Sequence, residues 1–536
     1  MITTENLGVQ FGGQVLFQNA DLSFTPGNCY GIIGANGSGK STFLKVLSGE
    51  IESTKGYVHI DPKLRMSVLK QDQTMYDGCT VLDTVILGNR KLYEVGKEKD
   101  AIYEKEDFSD EDGLRAAELE AEYAELGGWE AESDAARLLQ GLGIETGFHT
   151  MLMRELEGRL KVKVLLAQAL FGKPDIILLD EPTNNLDLAS TIWLEDFLMD
   201  YEGTVLVVSH DRYFLNNICT HIVDIDYGKI KQYVGNYDFW YESSQMVQRM
   251  IRDQNKKAAQ KIEELQAFIA RFAANASKSR QATSRRRLLE KITVEEMPAS
   301  SRRYPFVFFK AEREPGKERL FVENVSKTVN GVKVLSHVSF IMNKEDKIGL
   351  IGDNEIAITT MFQLLAGELE PDEGSIRWGV STTQSYMPTD IGAYFEGSDL
   401  EIMDWIAGYS ENKRPDYLRP FLGKMLFSGN DIFKKVSVLS GGEKVRCMIS
   451  KMMLEGRNVL LFDQPTNHLD LESIQALNDG MTAFPHNIIF YSHDHQLMQS
   501  VANRIIELKE DGCTEKQGTF DEYMHLTGRD VQAQER

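Results

Sequence analysis

A glycine-rich segment followed by a lysine and two hydroxyl residues is the part of this sequence most suited to chemistry. It runs from Gly34 to Thr42 as GANGSGKST and fits the pattern G-x-x-x-x-G-K-[ST]. Such glycines let backbone N–H groups turn toward phosphate oxygens, the lysine adds a positive charge, and the serine hydroxyl can bind Mg²⁺. A strand-like run precedes the segment and a helical pattern follows it, so we expect a nucleotide-binding phosphate loop. Its expected lining residues are Gly34, Asn36, Gly37, Ser38, Gly39, Lys40, Ser41 and Thr42.

Two adjacent acids and a histidine further along the chain would complete a hydrolytic site. Asp180 and Glu181 end an apolar run, and His210 follows the next one. We expect Asp180 to hold Mg²⁺ through water, Glu181 to polarise the attacking water and His210 to contact the terminal phosphate. A lone histidine is more often structural, but its place in Ser209-His210-Asp211 favours the phosphate contact. The predicted catalytic residues are Glu181, His210 and Lys40.

The second half of the chain repeats these motifs with losses at particular positions. Corresponding pairs 283 positions apart are Asp180 with Asp463, Asp187 with Asp470 and His210 with His493. Ile358 replaces Lys40, so a charge-assisted phosphate contact worth about 1.5–3 kcal/mol is absent. Gln464 replaces Glu181 and cannot accept a proton from water, while Glu355 would place an anion beside a triphosphate. This degenerate second site comprises Gly352, Asn354, Thr359, Thr360, Asp463, Gln464 and His493. The sequence leaves open whether it binds nucleotide.

Composition and charge narrow the class of protein. The chain has 536 residues, enough for two or three domains, and its 42% hydrophobic content is ordinary for a globular protein. No apolar run approaches the roughly 18–20 residues of a membrane span, and no secretory signal is visible at the N-terminus. The five cysteines stand singly, which favours a reducing cytoplasm over disulfide or metal chemistry. The net charge is −22, yet residues 249–303 carry fourteen Lys/Arg against six Asp/Glu, so this one segment suits a polyanion.

Short β-rich runs alternating with helical patterns predict an α/β fold with parallel sheets in each half. The runs are Cys29–Ile33, Ile176–Leu179, Thr204–Val208, Ile348–Ile351, Val459–Phe462 and Ile488–Tyr491. We expect a first domain over residues 1–240, with an acidic helical arm at about 88–140, and a second domain over 318–536. Between them, residues 241–317 predict a basic helical linker that folds as a hairpin.

The combined motifs resemble the nucleotide-binding domains of the ABC superfamily. An intact signature segment, Leu439-Ser440-Gly441-Gly442-Glu443, stands in the second half, where the first half has Leu156-Glu157-Gly158-Arg159-Leu160. Two such domains on one chain, joined by a basic linker, resemble the ABC-F family of ribosome-associated ATPases. The blocks EPTNNLD from Glu181 and QPTNHLD from Gln464 have that family's form, and the segment Phe272–Arg285 is similar to the linker of its YbiT-like branch. The resemblance covers nearly the whole chain and implies two tandem P-loop domains.

The resemblance also implies how the two halves share their sites. In this superfamily each site pairs one domain's phosphate loop with the other domain's signature, so the first loop would work with Ser440, Gly441, Gly442 and Glu443. Gln71 would join Ser41 and Asp180 around Mg²⁺, and Phe11 would stack on the adenine, although a core phenylalanine is the alternative. Nearly all losses then fall in the other composite site, so we expect ATP hydrolysis at one site per chain.

The expected partner is the ribosome. The family resemblance implies binding at the E site, with the linker against the P-site tRNA and rRNA, in a cytoplasmic monomer that contacts neither membrane nor DNA. The residues expected to contact RNA phosphates are Lys278, Arg280, Arg285, Arg286 and Arg287. Three alternatives stay open: a peripheral transporter ATPase subunit, an antibiotic-resistance ribosomal protection protein, and a nucleotide-gated binding protein with negligible turnover.

Overall fold

The computed structural model describes residues 1–11, 14–105, 108–184, 186–272, 302–352 and 354–527. The chain divides into two compact units. The first comprises Met1–Ser209 and Phe214–Ser301, and the second comprises His210–Tyr213 and Arg302–Arg536. Each unit contains a large mainly parallel sheet and a small antiparallel one, which confirms the predicted α/β class.

The described residues of the first unit form nine strands. They are β1 (Ile2–Phe11), β2 (Gln14–Phe24), β3 (Asn28–Ile33), β4 (Lys55–Ile60), β5 (Met66–Val68), β6 (Ile176–Asp180), β7 (Thr204–Val208), β8 (His221–Asp226) and β9 (Lys229–Val234). The large sheet has the order β5-β6-β7-β3-β8-β9 and is parallel except at β9, and the small sheet has the order β2-β1-β4. The strand β7 is buried at every position because central parallel strands are covered on both faces.

Helices connect these strands, form the acidic arm and lead into the linker. They are α1 (Lys40–Leu47), α2 (Val81–Ile86), α3 (Arg90–Tyr103), α4 (Asp110–Glu125), α5 (Ala131–Gly141), α6 (Gly158–Leu170), α7 (Leu188–Met199), α8 (Arg212–Ile218) and α9 (Tyr237–Phe272). The helix α1 buries Phe43 and Leu47 in the same core as Leu178 of β6 and Val208 of β7. Each such side chain contributes roughly 1.5–3 kcal/mol of burial free energy. This packing holds the loop before α1 at a set position relative to the sheet.

The acidic arm expected at about 88–140 contains the helices α3, α4 and α5. Val95 and Ile102 of α3 pack with Ala116 and Leu119 of α4 in a small core of their own. The first turn of α4 has a capping box between Ser109 and Asp112, which satisfies backbone donors at that end. The arm is therefore a packed helical element whose acids lie mainly on its surface.

The second unit repeats the plan of the first. Its strands are β10 (Leu320–Val329), β11 (Val332–Met342), β12 (Lys347–Ile351), β13 (Glu373–Trp378), β14 (Gln384–Met387), β15 (Val459–Asp463), β16 (Asn487–Tyr491), β17 (Arg504–Lys509) and β18 (Gly512–Gln517). The large sheet has the order β14-β15-β16-β12-β17-β18. Its helices are α10 (Glu355–Ala366), α11 (Ile402–Ala407), α12 (Pro415–Lys424), α13 (Gly441–Glu455), α14 (Leu471–Ala483), α15 (His495–Val501) and α16 (Phe520–Leu526).

The described part of the predicted linker is one long helix and an extended segment. The helix α9 spans 36 residues and begins four residues before the expected linker boundary at 241. Leu265 of this helix is 1% exposed. Residues 302–319 have neither helix nor strand. In the described ranges no helix combines the length and apolarity that crossing a membrane requires.

Candidate functional site

The predicted chemical residues of the first unit collect at one edge of its large sheet. The strands β5, β6, β7 and β3 run parallel, so their carboxyl ends lie at the same edge. Asp180 ends β6, the phosphate loop follows β3 and Gln71 lies just beyond β5. Gln71 and Asp180 are thus positioned by the neighbouring strands β5 and β6. His210 follows β7 in the chain but groups with the second unit.

The loop between β3 and α1 has the backbone that a phosphate cradle requires. Gly37 has φ 79° and Gly39 has φ 101°, a left-handed region that suits glycine. Lys40 is only 8% exposed, and its Nζ donates to the carbonyl oxygens of Gly34 at 2.8 Å and Ala35 at 3.3 Å. The ammonium group is therefore held against the loop, where its charge faces any anion bound there.

We predict that Gly39→Ala weakens nucleotide binding about tenfold or more, because holding alanine at this φ costs about 1–3 kcal/mol. An added Cβ would also stand 3.3 Å from Leu16. Equilibrium dialysis with a non-hydrolysable ATP analogue measures the effect. The matched control is Ala357→Gly, at the corresponding position of the second unit, where the residue lies inside α10 and the analogue's affinity should not change. Unchanged affinity in Gly39→Ala would contradict the assigned role of the loop.

The oxygen atoms needed for Mg²⁺ stand beside the loop. Gln71 Nε2 donates to Asp180 Oδ2 at 3.0 Å, so the two predicted ligands are in contact although 109 positions separate them. Ser41 is exposed at the start of α1. A hydroxyl, an amide and a carboxylate form the hard-oxygen set that Mg²⁺ prefers, so these residues fit that ion.

Glu181 has an unusual backbone that the sequence did not reveal. Its φ is 52°, and its N–H donates to Val208 O of the neighbouring strand β7 at 2.8 Å. Gln464 repeats this geometry, with φ 59° and an N–H bond of 2.9 Å to Tyr491 O. A left-handed conformation at a non-glycine residue is uncommon and is found where the surroundings impose it. Both units therefore hold the residue after the aspartate that ends the strand in one orientation.

Phe11 lies at the end of β1 and is 51% exposed, so the alternative of a core phenylalanine is wrong. An exposed aromatic ring is available for stacking, and its adenine contact stays a prediction. The predicted RNA contacts lie outside the described residues. They are Lys278, Arg280, Arg285, Arg286 and Arg287.

The two signature segments differ in how their helices begin. Ser440 caps α13 through a capping box: its N–H donates to Glu443 Oε2 at 2.9 Å, and its hydroxyl lies 2.8 Å from the same oxygen. Ser440 and Gly441 are exposed. In the first unit Glu157 precedes α6 and makes no side-chain cap hydrogen bond. Only the second unit therefore presents a hydroxyl and two glycines at a capped helix start.

Lys163 was missed by the sequence reasoning. It is 6% exposed on α6, and its Nζ donates to Asp187 Oδ2 and to Ser190 Oγ at 2.9 Å. Burial raises the pKa of Asp187, but hydrogen bonds from Lys163 and the Ser190 N–H outweigh this and leave the pKa lowered. Asp187 also caps α7, accepting from Ser190 N at 2.8 Å. Lys163 thus positions the loop that follows Glu181.

In the second unit, the residues that correspond to Ser41 and Asp180 contact each other. Thr359 Oγ1 donates to Asp463 Oδ2 at 2.9 Å, and the Asp463 side chain is fully buried. Burial raises the pKa of Asp463, although hydroxyl groups of Thr389 and Thr359 oppose this effect. By contrast, Asp180 is partly exposed at the first site. Gln464 is 6% exposed.

Comparison with known proteins places these sites in a family. A model described as ABC transporter matches residues 17–184 and 335–467, and a second model with the same description matches residues 223–308. The protein YkpA of Bacillus subtilis (strain 168), described as an uncharacterized ABC transporter ATP-binding protein, is 59% identical over 99% of this chain and 98% of its own. The probable ATP-binding protein YbiT of Escherichia coli O157:H7 is 43% identical over 98% of this chain and 100% of its own.

Solved structures share the tandem arrangement at low identity. The archaeal ribosome recycling factor aABCE1, in complex with the archaeal ribosomal stalk protein aP1, has a TM-score of 0.63 and 18% identity, covering 98% of this chain and 92% of that chain. The RNase-L Inhibitor has a TM-score of 0.64 and 19% identity, covering 98% and 93%. These likenesses establish the tandem-domain fold.

Proposed function

Because this chain belongs to the ABC family of ATP-binding proteins, we propose that it is an ATP-hydrolysing translation factor that acts on the ribosome. It carries two of the family's domains, as do its relatives in the YbiT-like branch of ABC-F. The observation that carries the ATPase part is the contact between Gln71 and Asp180 beside a glycine loop that holds Lys40. The ribosomal part is supported by the basic segment between the two domains.

Each residue of the first site has a task in this chemistry. Lys40 and the N–H groups at the start of α1 bind the β- and γ-phosphates. Asp180, Ser41 and Gln71 would hold Mg²⁺, which when bound would supply positive charge to the phosphate oxygens. Glu181, whose backbone is fixed by Val208, accepts the proton of the attacking water. His210 orients the γ-phosphate.

Hydrolysis occurs at one site per chain in this proposal. By the arrangement of the ABC superfamily, the first phosphate loop would pair with Ser440, Gly441, Gly442 and Glu443, and the degenerate loop with the segment from Glu157 to Leu160. One functioning site is enough for a cycle, because closure of the two domains needs only a ligand that favours the closed state. Hydrolysis then reopens the domains and releases the factor.

The ribosome is the proposed partner because of the linker's charge and the family resemblance. Residues 249–303 carry fourteen Lys/Arg and six Asp/Glu on a chain of net charge −22. A dense basic segment binds RNA phosphates in a largely sequence-independent, salt-dependent manner. Bound at the E site, the linker would lie against the P-site tRNA and rRNA, and the factor would act in the cytoplasm as a monomer. The likeness to the archaeal recycling factor concerns the fold alone.

We predict that Arg285→Gln, Arg286→Gln and Arg287→Gln together weaken ribosome binding about tenfold or more, because each lost phosphate contact removes counterion release. Sedimentation of the Glu181→Gln protein with 70S particles and ATP, at several salt concentrations, measures the loss. The slope of affinity against salt should fall in the triple variant. A matched control replaces Lys97, Lys99 and Lys105 of the acidic arm with glutamine and should bind as before. Equal sedimentation of the linker variant and its parent would contradict this role.

A further inference from the structure

The phosphate loop of the second unit has become the first turn of a helix. In the first unit, α1 begins at Lys40, after a loop with positive φ at Gly37 and Gly39. In the second unit, α10 begins at Glu355, which corresponds to Gly37 and therefore starts three residues earlier. The loss of glycine permits this change, since glycine disfavours a helix and non-glycine residues disfavour the left-handed loop.

Three backbone N–H groups of this turn, those of Ile356, Ala357 and Ile358, are already bound. The first N–H groups of a helix lack intrahelical partners and can bind an anion. At α10 the side chain of Asn354 occupies them: its Oδ1 accepts from Ile356 N at 3.0 Å and from Ala357 N at 3.3 Å. The N–H of Ile358 donates to Asn354 O at 3.2 Å. A phosphate at this place would have to displace the cap.

The side chain of Ile358, in the position that corresponds to Lys40, is apolar and carries no charge. Ile358 is fully buried in the core with Phe362 of the same helix and Ile506 of β17. An apolar side chain there stabilises the unit through burial and offers no charge to a phosphate. At the position where a lysine would contact a phosphate, Ile358 therefore packs in the core.

The carboxylate of Glu355 contacts the histidine that would face a terminal phosphate. Glu355 Oε1 lies 3.2 Å from His493 Nε2, and the Tyr491 hydroxyl lies 3.4 Å from the same nitrogen. A carboxylate, like a phosphate, is an anionic hydrogen-bond acceptor. The Glu355 carboxylate can therefore accept the histidine N–H that a phosphate would otherwise accept. In the same site Thr359 Oγ1 donates to Asp463 Oδ2 at 2.9 Å.

We propose that the second unit binds no nucleotide, and that Glu355 serves as a permanent internal ligand of His493 in place of the γ-phosphate. A triphosphate would meet the carboxylates of Glu355 and Asp463 without a lysine to offset them, and it would have to break the pairs that each makes. The conformation of this unit around His493 is then independent of ATP, so its signature segment is presented unchanged throughout the cycle. This last consequence rests on the proposed function, whereas the absence of binding does not.

The test is a saturating titration of the full chain with Mg²⁺ and the non-hydrolysable analogue AMP-PNP, followed by equilibrium dialysis. We expect one bound nucleotide per chain. In Lys40→Ile, which copies the second unit, all binding should weaken by about 10–100-fold, since a contact of about 1.5–3 kcal/mol is lost. Two nucleotides per wild-type chain, or a component of unchanged affinity in Lys40→Ile, would overturn the inference. Complete absence of binding in the wild type would agree with the inference and contradict the proposed ATPase.

A spectroscopic readout tests the role of Glu355 directly. In protein with ¹⁵N-labelled histidine and the Lys40→Ile substitution, the ring signals of His493, assigned with His493→Asn, should not move when AMP-PNP is added. The Glu355→Ala substitution itself should change the chemical shifts of these signals, because the carboxylate partner is gone. In Glu355→Asp the chemical shifts should return part of the way to those of the parent protein. Signals that respond to AMP-PNP, or that ignore Glu355→Ala, would refute the internal-ligand role.

Discussion

Replacing Glu181 by glutamine is expected to lower the steady-state ATPase rate by about 10²–10⁴-fold, the usual contribution of a general base. The activation barrier would rise by about 3–5 kcal/mol. Glutamine keeps the size and polarity of the side chain, and the hydrogen bond from the residue 181 N–H to Val208 O does not depend on it. ATP binding should therefore stay, so the variant should accumulate in its ATP-bound form. Phosphate release and nucleotide dialysis on the same preparation measure the two effects.

The second unit offers a matched control for this substitution. Gln464 occupies the corresponding position with nearly the same φ, 59° against 52°. Gln464→Glu restores the missing carboxylate, yet we expect no gain in turnover, because the loop beside it lacks a lysine and is folded into α10. If Glu181→Gln kept most of the wild-type rate, or if Gln464→Glu raised that rate, hydrolysis would not be confined to the first site.

Substituting Ser440 by arginine is expected to reduce turnover by about 10²–10³-fold, the effect of removing one preorganised donor to a transferring phosphoryl group. The proposal assigns the Ser440 hydroxyl to the γ-phosphate held by the first loop, and arginine also lacks the small size that close approach needs. The measurement is the ATPase rate at saturating ATP, with AMP-PNP affinity as the companion.

Ser440 also caps α13, so its structural role must be separated from its chemical one. Loss of such a cap costs about 1 kcal/mol, which the unfolding temperature would show. Ser440→Thr keeps the hydroxyl and should keep most of the activity, whereas Ser440→Asp keeps the cap but repels phosphate and should be inactive. Glu157→Arg, at the uncapped start of α6, should leave the rate unchanged. An active Ser440→Asp protein would show that only the cap matters.

Much of the architecture could be predicted from local patterns. Short apolar runs such as Thr204–Val208 appear as central strands, because a parallel strand buried on both faces must be apolar throughout. The loop from Gly34 to Thr42 was recognisable because its glycines and lysine have a fixed spacing. These features depend on neighbours in the chain, which is why the sequence alone reveals them.

Contacts between distant residues needed the tertiary structure. The bond from Gln71 to Asp180 exists because β5 and β6 are adjacent in the sheet, and no periodicity shows that adjacency. Buried Lys163, which holds Asp187, had no motif of its own. The positive φ of Glu181 follows from its bond to β7, a constraint set by strand order and not by residue type.

The second unit shows most clearly the difference between what local sequence patterns reveal and what contacts between distant residues add. Residue identities alone show that Lys40, Gly37 and Glu181 have no identical counterparts there, since they can be compared position by position. It left open whether nucleotide still binds, because losses alone do not tell what fills the space. The contact of Glu355 with His493, and the helix start capped by Asn354, are visible only in three dimensions. Polar groups that lack a partner must find one on folding, and which group pairs with them depends on proximity in space and not on neighbours in the sequence.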